Sequence, residues 1–190
     1  MGINEVLLQV AESLEAARFR FMLIGGMAVA TWIEPRLTRD VDIVVPARRR
    51  DAPRLKQALI AGGARPTALE MRLLFEKTFT RLPTGGPILD VHIARSSHDY
   101  AAIENARPLL LHGRKIPVAS PEDLVLYKLQ AWRPHDQVDI QEMMKQVKNV
   151  NIAYIDSWLD RISEDTGAAI RERWAEAKKL AKAEEGKSRD

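Results

Sequence analysis

The stretch FMLIGG at residues 21–26 and the stretch TRDVDIVV at residues 38–45 decide the fold of this chain. Phe19–Ile24 is apolar enough to be a short buried strand and stops at Gly25-Gly26; Met27–Ile33 then reads as a helix that ends before Pro35. Asp40–Val45 is the clearest strand of the sequence. Side chains alternate along a strand, so Val41, Ile43 and Val45 fall on one face and Asp40 and Asp42 on the other, up to the boundary at Pro46. Carboxylates two residues apart sit about 6.6 Å from each other at Cα on one face, where they can converge on one or two divalent ions. Gly25-Gly26 lets backbone amides approach a ligand, and the start of the following helix favours an anion such as a triphosphate. Each feature alone has a plain structural reading, a tight turn or a solvated acidic pair. Their order, strand, Gly-Gly, helix, Arg-bearing loop, Asp-x-Asp strand, is more specific.

Outward from this block, Ile3, Leu7, Val10 and Leu14 form a helical stripe ending near Ala17. Ala52–Ala61 predicts a helix closed by Gly62-Gly63, and Leu69–Leu82 predicts one or two strands before a turn at Pro83–Pro87. Ile88–Ala94 predicts a second firm strand with Asp90 and His92 on one face and Leu89, Val91 and Ile93 on the other. Leu109–Val118 predicts a strand or hairpin around Gly113. From residue 119 the character becomes helical. Ser120-Pro-Glu-Asp123 is a start signal, with Ser as N-cap, Pro at the first helical position and acids at the positive end of the dipole. That helix breaks at Arg133-Pro134, a second runs to about Asn149, and Asn151 and Asp165-Thr166 predict caps for two more, with Trp158 and Trp174 as packing residues. The expectation is an α/β (α+β) fold, a mixed sheet flanked by helices, with residues 1–118 as the core and residues 119–190 as a helical C-terminal region whose tail from Lys182 frays.

With 46% apolar, 29% charged and 6% aromatic residues, a chain of 190 suits a globular unit rather than a repeat array. The absence of cysteine excludes disulfides, thiolate metal sites and a cysteine nucleophile, and points to a reducing, cytoplasmic location. The apolar run Phe21–Ile33 is shorter than the roughly 20 residues a membrane helix needs, and no membrane partner is expected. Glu5, Glu12 and Glu15 before it argue against a signal peptide, and Val6 against myristoylation. Net charge is only +3, but Arg36, Arg39, Arg48, Arg49, Arg50, Arg54 and Lys56 cluster around Asp40, Asp42 and Asp51. Such a cluster is either a solvated surface or a basic rim around an acidic pair, suited to a phosphate-bearing ligand held through a cation.

The blocks FMLIGGMAVA and PRLTRDVDIVV, with ASPEDL at residues 119–124 leading to Lys128, and Asp136 and Asp139 beyond it, resemble the DNA polymerase β-like nucleotidyltransferase superfamily. Within it they look like the subset related to AbiEii-type toxins of toxin–antitoxin systems, over roughly residues 18–145. One departure is Gly26, where many members place a Ser on a phosphate; that contact would fall to backbone amides or water.

The resemblance implies an enzyme that moves a nucleoside monophosphate from an NTP such as ATP to an acceptor hydroxyl and releases pyrophosphate. It implies Mg2+ (or Mn2+) held by Asp40, Asp42 and Asp90, with Asp90 completing the second metal site or deprotonating the acceptor. Nucleotide contacts would come from Gly25, Gly26, Arg39, Lys128, which would neutralise the triphosphate, and Asp139, which would orient it. An ordinary exposed helix position for Lys128, and a first-turn position for Asp136 and Asp139, are the structural alternatives. Arg36 and Arg39 could reach phosphates or pair with Asp40, Asp42 or Glu34. The acceptor expected from the family and the basic stretch is RNA, a tRNA end among the options, gripped by Arg48, Arg49 and Arg50; an antitoxin protein is the expected partner, and no DNA is expected. Alternatives are a small aminoglycoside-like acceptor, or a catalytically silent nucleotide- or partner-binding protein, which the presence of all three acids argues against. His92 reads as structural, His98, His112 and His135 are isolated, and Ser97 and Ser120 lack a nearby base, Ser120 being a cap.

Overall fold

The computed structural model describes residues 2–34 and 37–187. Pro35, expected to end the helix after the glycines, and Arg36, a candidate phosphate contact, lie outside the described residues. So do residues 188–190 of the tail; the part before them, expected to fray, continues the last helix to Lys187. The chain divides into two compact units, Met1–Ala28 with Arg36–Ala119, and Val29–Pro35 with Ser120–Asp190.

The first unit carries a six-stranded open mixed sheet. Its strands are β1 (Met22–Ile24), β2 (Asp40–Val45), β3 (Phe79–Pro83), β4 (Ile88–Ile93), β5 (Arg107–Leu111) and β6 (Arg114–Val118), in the order β3-β4-β2-β1-β6-β5. The central pair β2 and β4 is parallel; β1 runs antiparallel to β2 and parallel to β6, and β3 and β5 are antiparallel edges. Val41, Ile43, Val45, Leu82, Leu89, Val91 and Ile93 form a face that is at most 3% exposed. Each such side chain contributes about 1.5–3 kcal/mol of hydrophobic stabilisation, and that face fixes the register. A slip of one residue would send the whole apolar set to the opposite side.

Helices α1 (Ile3–Ala16), α3 (Ala52–Ala61) and α4 (Ala68–Lys77) pack on one another and on β2, β3 and β4. Between β1 and β2 lies the short α2 (Gly25–Val29), which stops four residues earlier than the sequence pattern suggests; Trp32 and Ile33 instead donate their N–H groups back to the Val29 carbonyl in a turn. The region expected to be strand from Leu69 onward is α4, with only Phe79–Pro83 extended. Its start is a capping box: the Thr67 hydroxyl accepts from the Glu70 N–H at 3.2 Å and the Glu70 carboxylate accepts from the Thr67 N–H at 2.6 Å. Met71, Leu74 and Phe75 then form its buried stripe. The same device at Ser96 and Asp99 begins α5 (Ser97–Asn105), a helix that no apolar periodicity predicts. The hairpin β5–β6 turns at His112-Gly113, both at positive φ, as a two-residue turn matched to strand twist requires.

The second unit is helical: α6 (Pro121–Ala131), α7 (Pro134–Gln146), α8 (Ile152–Thr166) and α9 (Ile170–Lys187). Ser120 caps α6 by accepting from the Asp123 N–H at 3.1 Å, and Asn151 caps α8 by accepting from the Tyr154 N–H at 3.0 Å. Thr166 is not a cap for the last helix; α8 runs through it, its hydroxyl donates to the Ile162 carbonyl, and Gly167 at φ +69° ends the helix. Trp174 is buried and donates to Asp156 at 2.8 Å, whereas Trp158 is half-buried. Among the described residues no helix is long and apolar enough to cross a membrane.

Candidate active site

The parallel pairing of β2 with β4 places Asp40 opposite Ile88, Asp42 opposite Asp90 and Val44 opposite His92. Asp40, Asp42 and Asp90 therefore share one face of the first unit's sheet, the reverse of the buried aliphatic one. Antiparallel pairing adds Arg81 of β3 opposite Asp90 and Phe79 opposite His92, the two rings of the latter pair lying 4.7 Å apart. Phe79, Arg81 and Pro83 are exposed, Asp40 and Asp42 half-buried, and Asp90 is 8% exposed.

Gly25 has φ +68°, and a Cβ built on it would lie 2.2 Å from the Asp42 carboxylate oxygen Oδ2. Only glycine lets the backbone approach this acid so closely. Gly26 follows in α2, a helix of five residues. Arg39 is exposed immediately before β2, and the hydroxyl of its neighbour Thr38 donates to the Asp40 carbonyl at 3.5 Å. Arg48, Arg49 and Arg50 are exposed just beyond β2, where Arg49–Asp51 forms a single 3-10 turn; the Arg48 N–H donates to Asp51 at 2.9 Å.

Arg81 is the residue that sequence reasoning missed. Its Nε donates to Asp90 Oδ1 at 3.0 Å, and its Nη2 lies 3.0 Å from Asp40 Oδ2. One guanidinium thus bridges carboxylates from two strands. The negative charge of Asp90 first, and that of Asp40 after it, raise the guanidinium pKa above its ordinary value even against some desolvation. The signal was available: a four-residue turn at Thr84–Pro87 pairs Pro83 with Ile88, and two steps back along both strands is Arg81 opposite Asp90.

Lys128, Asp136 and Asp139 belong to the second unit. Lys128 is not an exposed helix residue; it is 6% exposed, and its Nζ donates to Asp136 at 3.1 Å and to Asp139 at 2.6 Å. Asp136, in the first turn of α7, also accepts from the Arg133 Nε at 2.8 Å and the Arg133 N–H at 3.1 Å. Burial works against its ionisation, but Arg133 and the Lys128 charge outweigh that and hold the carboxyl below its ordinary range. Beside this cluster, Trp132 closes α6 in the left-handed conformation at φ +51°, and Arg173 donates to the carbonyls of Leu129 and Gln130 at 2.8 and 2.9 Å. His98 is buried in α5, and His112 occupies the β5–β6 turn.

Hard oxygen donors converging from adjacent strands suit a divalent cation. Two features of the face match such an ion: the glycine that makes room at Asp42, and the guanidinium that already stands as a cation between Asp40 and Asp90. Among the described residues no three acidic or imidazole side chains are drawn together as a metal cage, and Arg81 pairs with two of the three acids. The three carboxylates are of the donor type that suits a divalent metal, and the arrangement seen is bridged by the Arg81 guanidinium.

Over residues 6–188 the chain matches the model of the nucleotidyl transferase AbiEii toxin family of type IV toxin–antitoxin systems, and it belongs to that family. No curated protein sequence matches it. Among solved structures, the antibiotic-resistance factor ANT(2'')-Ia is similar with TM-score 0.50 and 14% identity, covering 98% of this chain and 97% of that one. The lincomycin-bound lincosamide antibiotic adenylyltransferase LnuA has TM-score 0.49 and 21% identity over 73% of this chain and 94% of its own. JHP933 from Helicobacter pylori has TM-score 0.43 and 17% identity, over 84% and 72%. At these identities the first likeness speaks for the fold alone. Nucleotidyltransferases of this fold generally use divalent metals.

Proposed function

We propose that the enzyme transfers a nucleoside monophosphate from an NTP to an RNA hydroxyl, a tRNA end among the candidates, with Asp40, Asp42 and Asp90 as the catalytic acids. The observation that carries this reading is the register that sets Asp42 beside Asp90, two residues from Asp40, on the face of the sheet opposite the buried aliphatic one. Asp40, Asp42 and Asp90 would hold Mg2+ or Mn2+, which when bound supplies charge neutralisation at the triphosphate. Gly25 and Gly26 offer backbone amides to phosphate oxygens, and Arg39 a guanidinium from the loop before β2. The Asp90 carboxylate accepts the proton of the acceptor hydroxyl; the acceptor's hydroxyl oxygen bonds to the α-phosphorus, and the bond from that phosphorus to the oxygen bridging to the β-phosphate breaks so that pyrophosphate leaves with the electron pair. Arg48, Arg49 and Arg50 hold the acceptor's phosphates. Lys128 and Asp139 have a separate assignment to the nucleotide, limited by the two carboxylates that the ammonium already serves. The family match supports an antitoxin as genetic partner.

A small-molecule acceptor is the second reading, favoured by the fold shared with ANT(2'')-Ia. Incubation of the enzyme with cell extract and NTP labelled at the α-phosphate separates the two. The RNA reading expects label in the RNA fraction; label confined to a small metabolite overturns it in favour of the second reading. In Asp90→Asn, NTP affinity should stay within about tenfold of wild type while the transfer rate falls by about 10²–10⁴. Full activity in that variant removes Asp90 from the mechanism.

A further inference from the structure

Three carboxylates on one face repel one another, and Asp90 is largely withdrawn from water. In the chain by itself Arg81 answers that repulsion. It reaches from an edge strand, pairs with two of the three acids at 3.0 Å each, and has a side chain 56% exposed, so it can swing away without disturbing the buried face behind it.

We propose that Arg81 is a built-in competitor of the divalent metal: its guanidinium holds Asp40 and Asp90 while the site is metal-free, and metal entry requires it to release them. This rests on the assignment of these acids as metal ligands. A fork of this kind suits the task because its two donors can serve carboxylates on different strands at once, which a single ammonium on a flexible stem does less well. Metal and arginine then bind the same oxygens in mutually exclusive ways, so each weakens the other by the same factor. Arg81 is a positioning residue in this scheme; it holds two acids in place before the metal arrives.

Calorimetric titration of the full chain with Mn2+ alone, without nucleotide, tests the competition. Arg81→Gln should bind Mn2+ at least about fivefold more tightly than wild type, the lower range of couplings between competing sites. Its melting temperature should be lower without metal and rise further on Mn2+ addition. Arg81→Lys, which keeps the charge and loses the fork, should fall between the two and serves if the Gln variant does not fold. Equal or weaker Mn2+ binding in both variants, against a wild type that binds, overturns the competition and leaves the metal assignment standing. No Mn2+ binding in wild type or either variant overturns both, since then there is no metal to compete with.

Discussion

Gly25 shows how one residue can hold a site open. Its φ of +68° disfavours any other residue, and the space its Cβ would need is taken by the Asp42 carboxylate. Gly25→Ala should therefore cost about 1–2 kcal/mol from the backbone alone, plus the displacement of Asp42. Chemical denaturation should reveal the loss, and Mg2+-dependent NTP binding should fall with it; a variant with wild-type stability and affinity would refute the close approach. Asp40 and Asp42 were legible as a same-face pair because strand alternation is a local rule. Arg81 was not read because its meaning depends on strand pairing, and its neighbours in sequence say nothing of carboxylates nine positions away.

Among the elements, β2, α3 and the two capped helices α6 and α8 follow closely from local signals: alternation, a Pro near the start of α3, and Ser120 and Asn151 as caps. Only α4 departs from a strand expectation: Leu, Phe and Thr weigh toward strand there, while the cap Thr67–Glu70, linking a side-chain oxygen to an N–H three residues on, belongs to a helix, and α5 begins with the same device at Ser96–Asp99. Thr67→Ala should destabilise the protein by about 1 kcal/mol, measured by thermal melting; no change would show α4 held by packing alone. The α6–α7 pair rests on a buried ammonium between two carboxylates. Lys128→Met leaves those acids without their shared cation and should cost about 3–5 kcal/mol, a large fall in melting temperature. A variant that melts like wild type but loses NTP affinity would instead support the nucleotide assignment.

The same cluster gives a pH dependence with a definite sign. The folded-state pKa of Asp136 is depressed below its ordinary 3.8, so the stability it contributes is present above that value and is lost as pH falls through the folded pKa. Acid melting of Asp136→Asn should be shallower than that of wild type in this window; identical acid limbs would contradict the pairing.

For the whole molecule, a net charge of +3 says little, whereas its distribution says more. Arg48, Arg49 and Arg50 are exposed just past the strand that carries Asp40 and Asp42. Replacing all three with Ala should weaken RNA binding and flatten its salt dependence, by roughly 0.7–0.9 per lost phosphate contact in the slope of log affinity against log salt, with NTP affinity nearly unchanged. An unaltered slope would make them a solvated surface. Lys128 and Asp139 were expected to serve the nucleotide, and local sequence could not show that they, with Asp136, form a buried centre in the helical unit, because that depends on how α6 meets α7.

If the carboxylate face of the sheet is the metal–nucleotide site, Asp42→Asn removes one of the groups on which binding depends. Asp42 is half-buried and on the site face, so its loss should leave the circular dichroism spectrum intact. Calorimetric titration with NTP in the presence of Mg2+ should show binding in wild type and none in the variant. A folded Asp42→Asn protein with unchanged NTP affinity would place the metal–nucleotide site elsewhere.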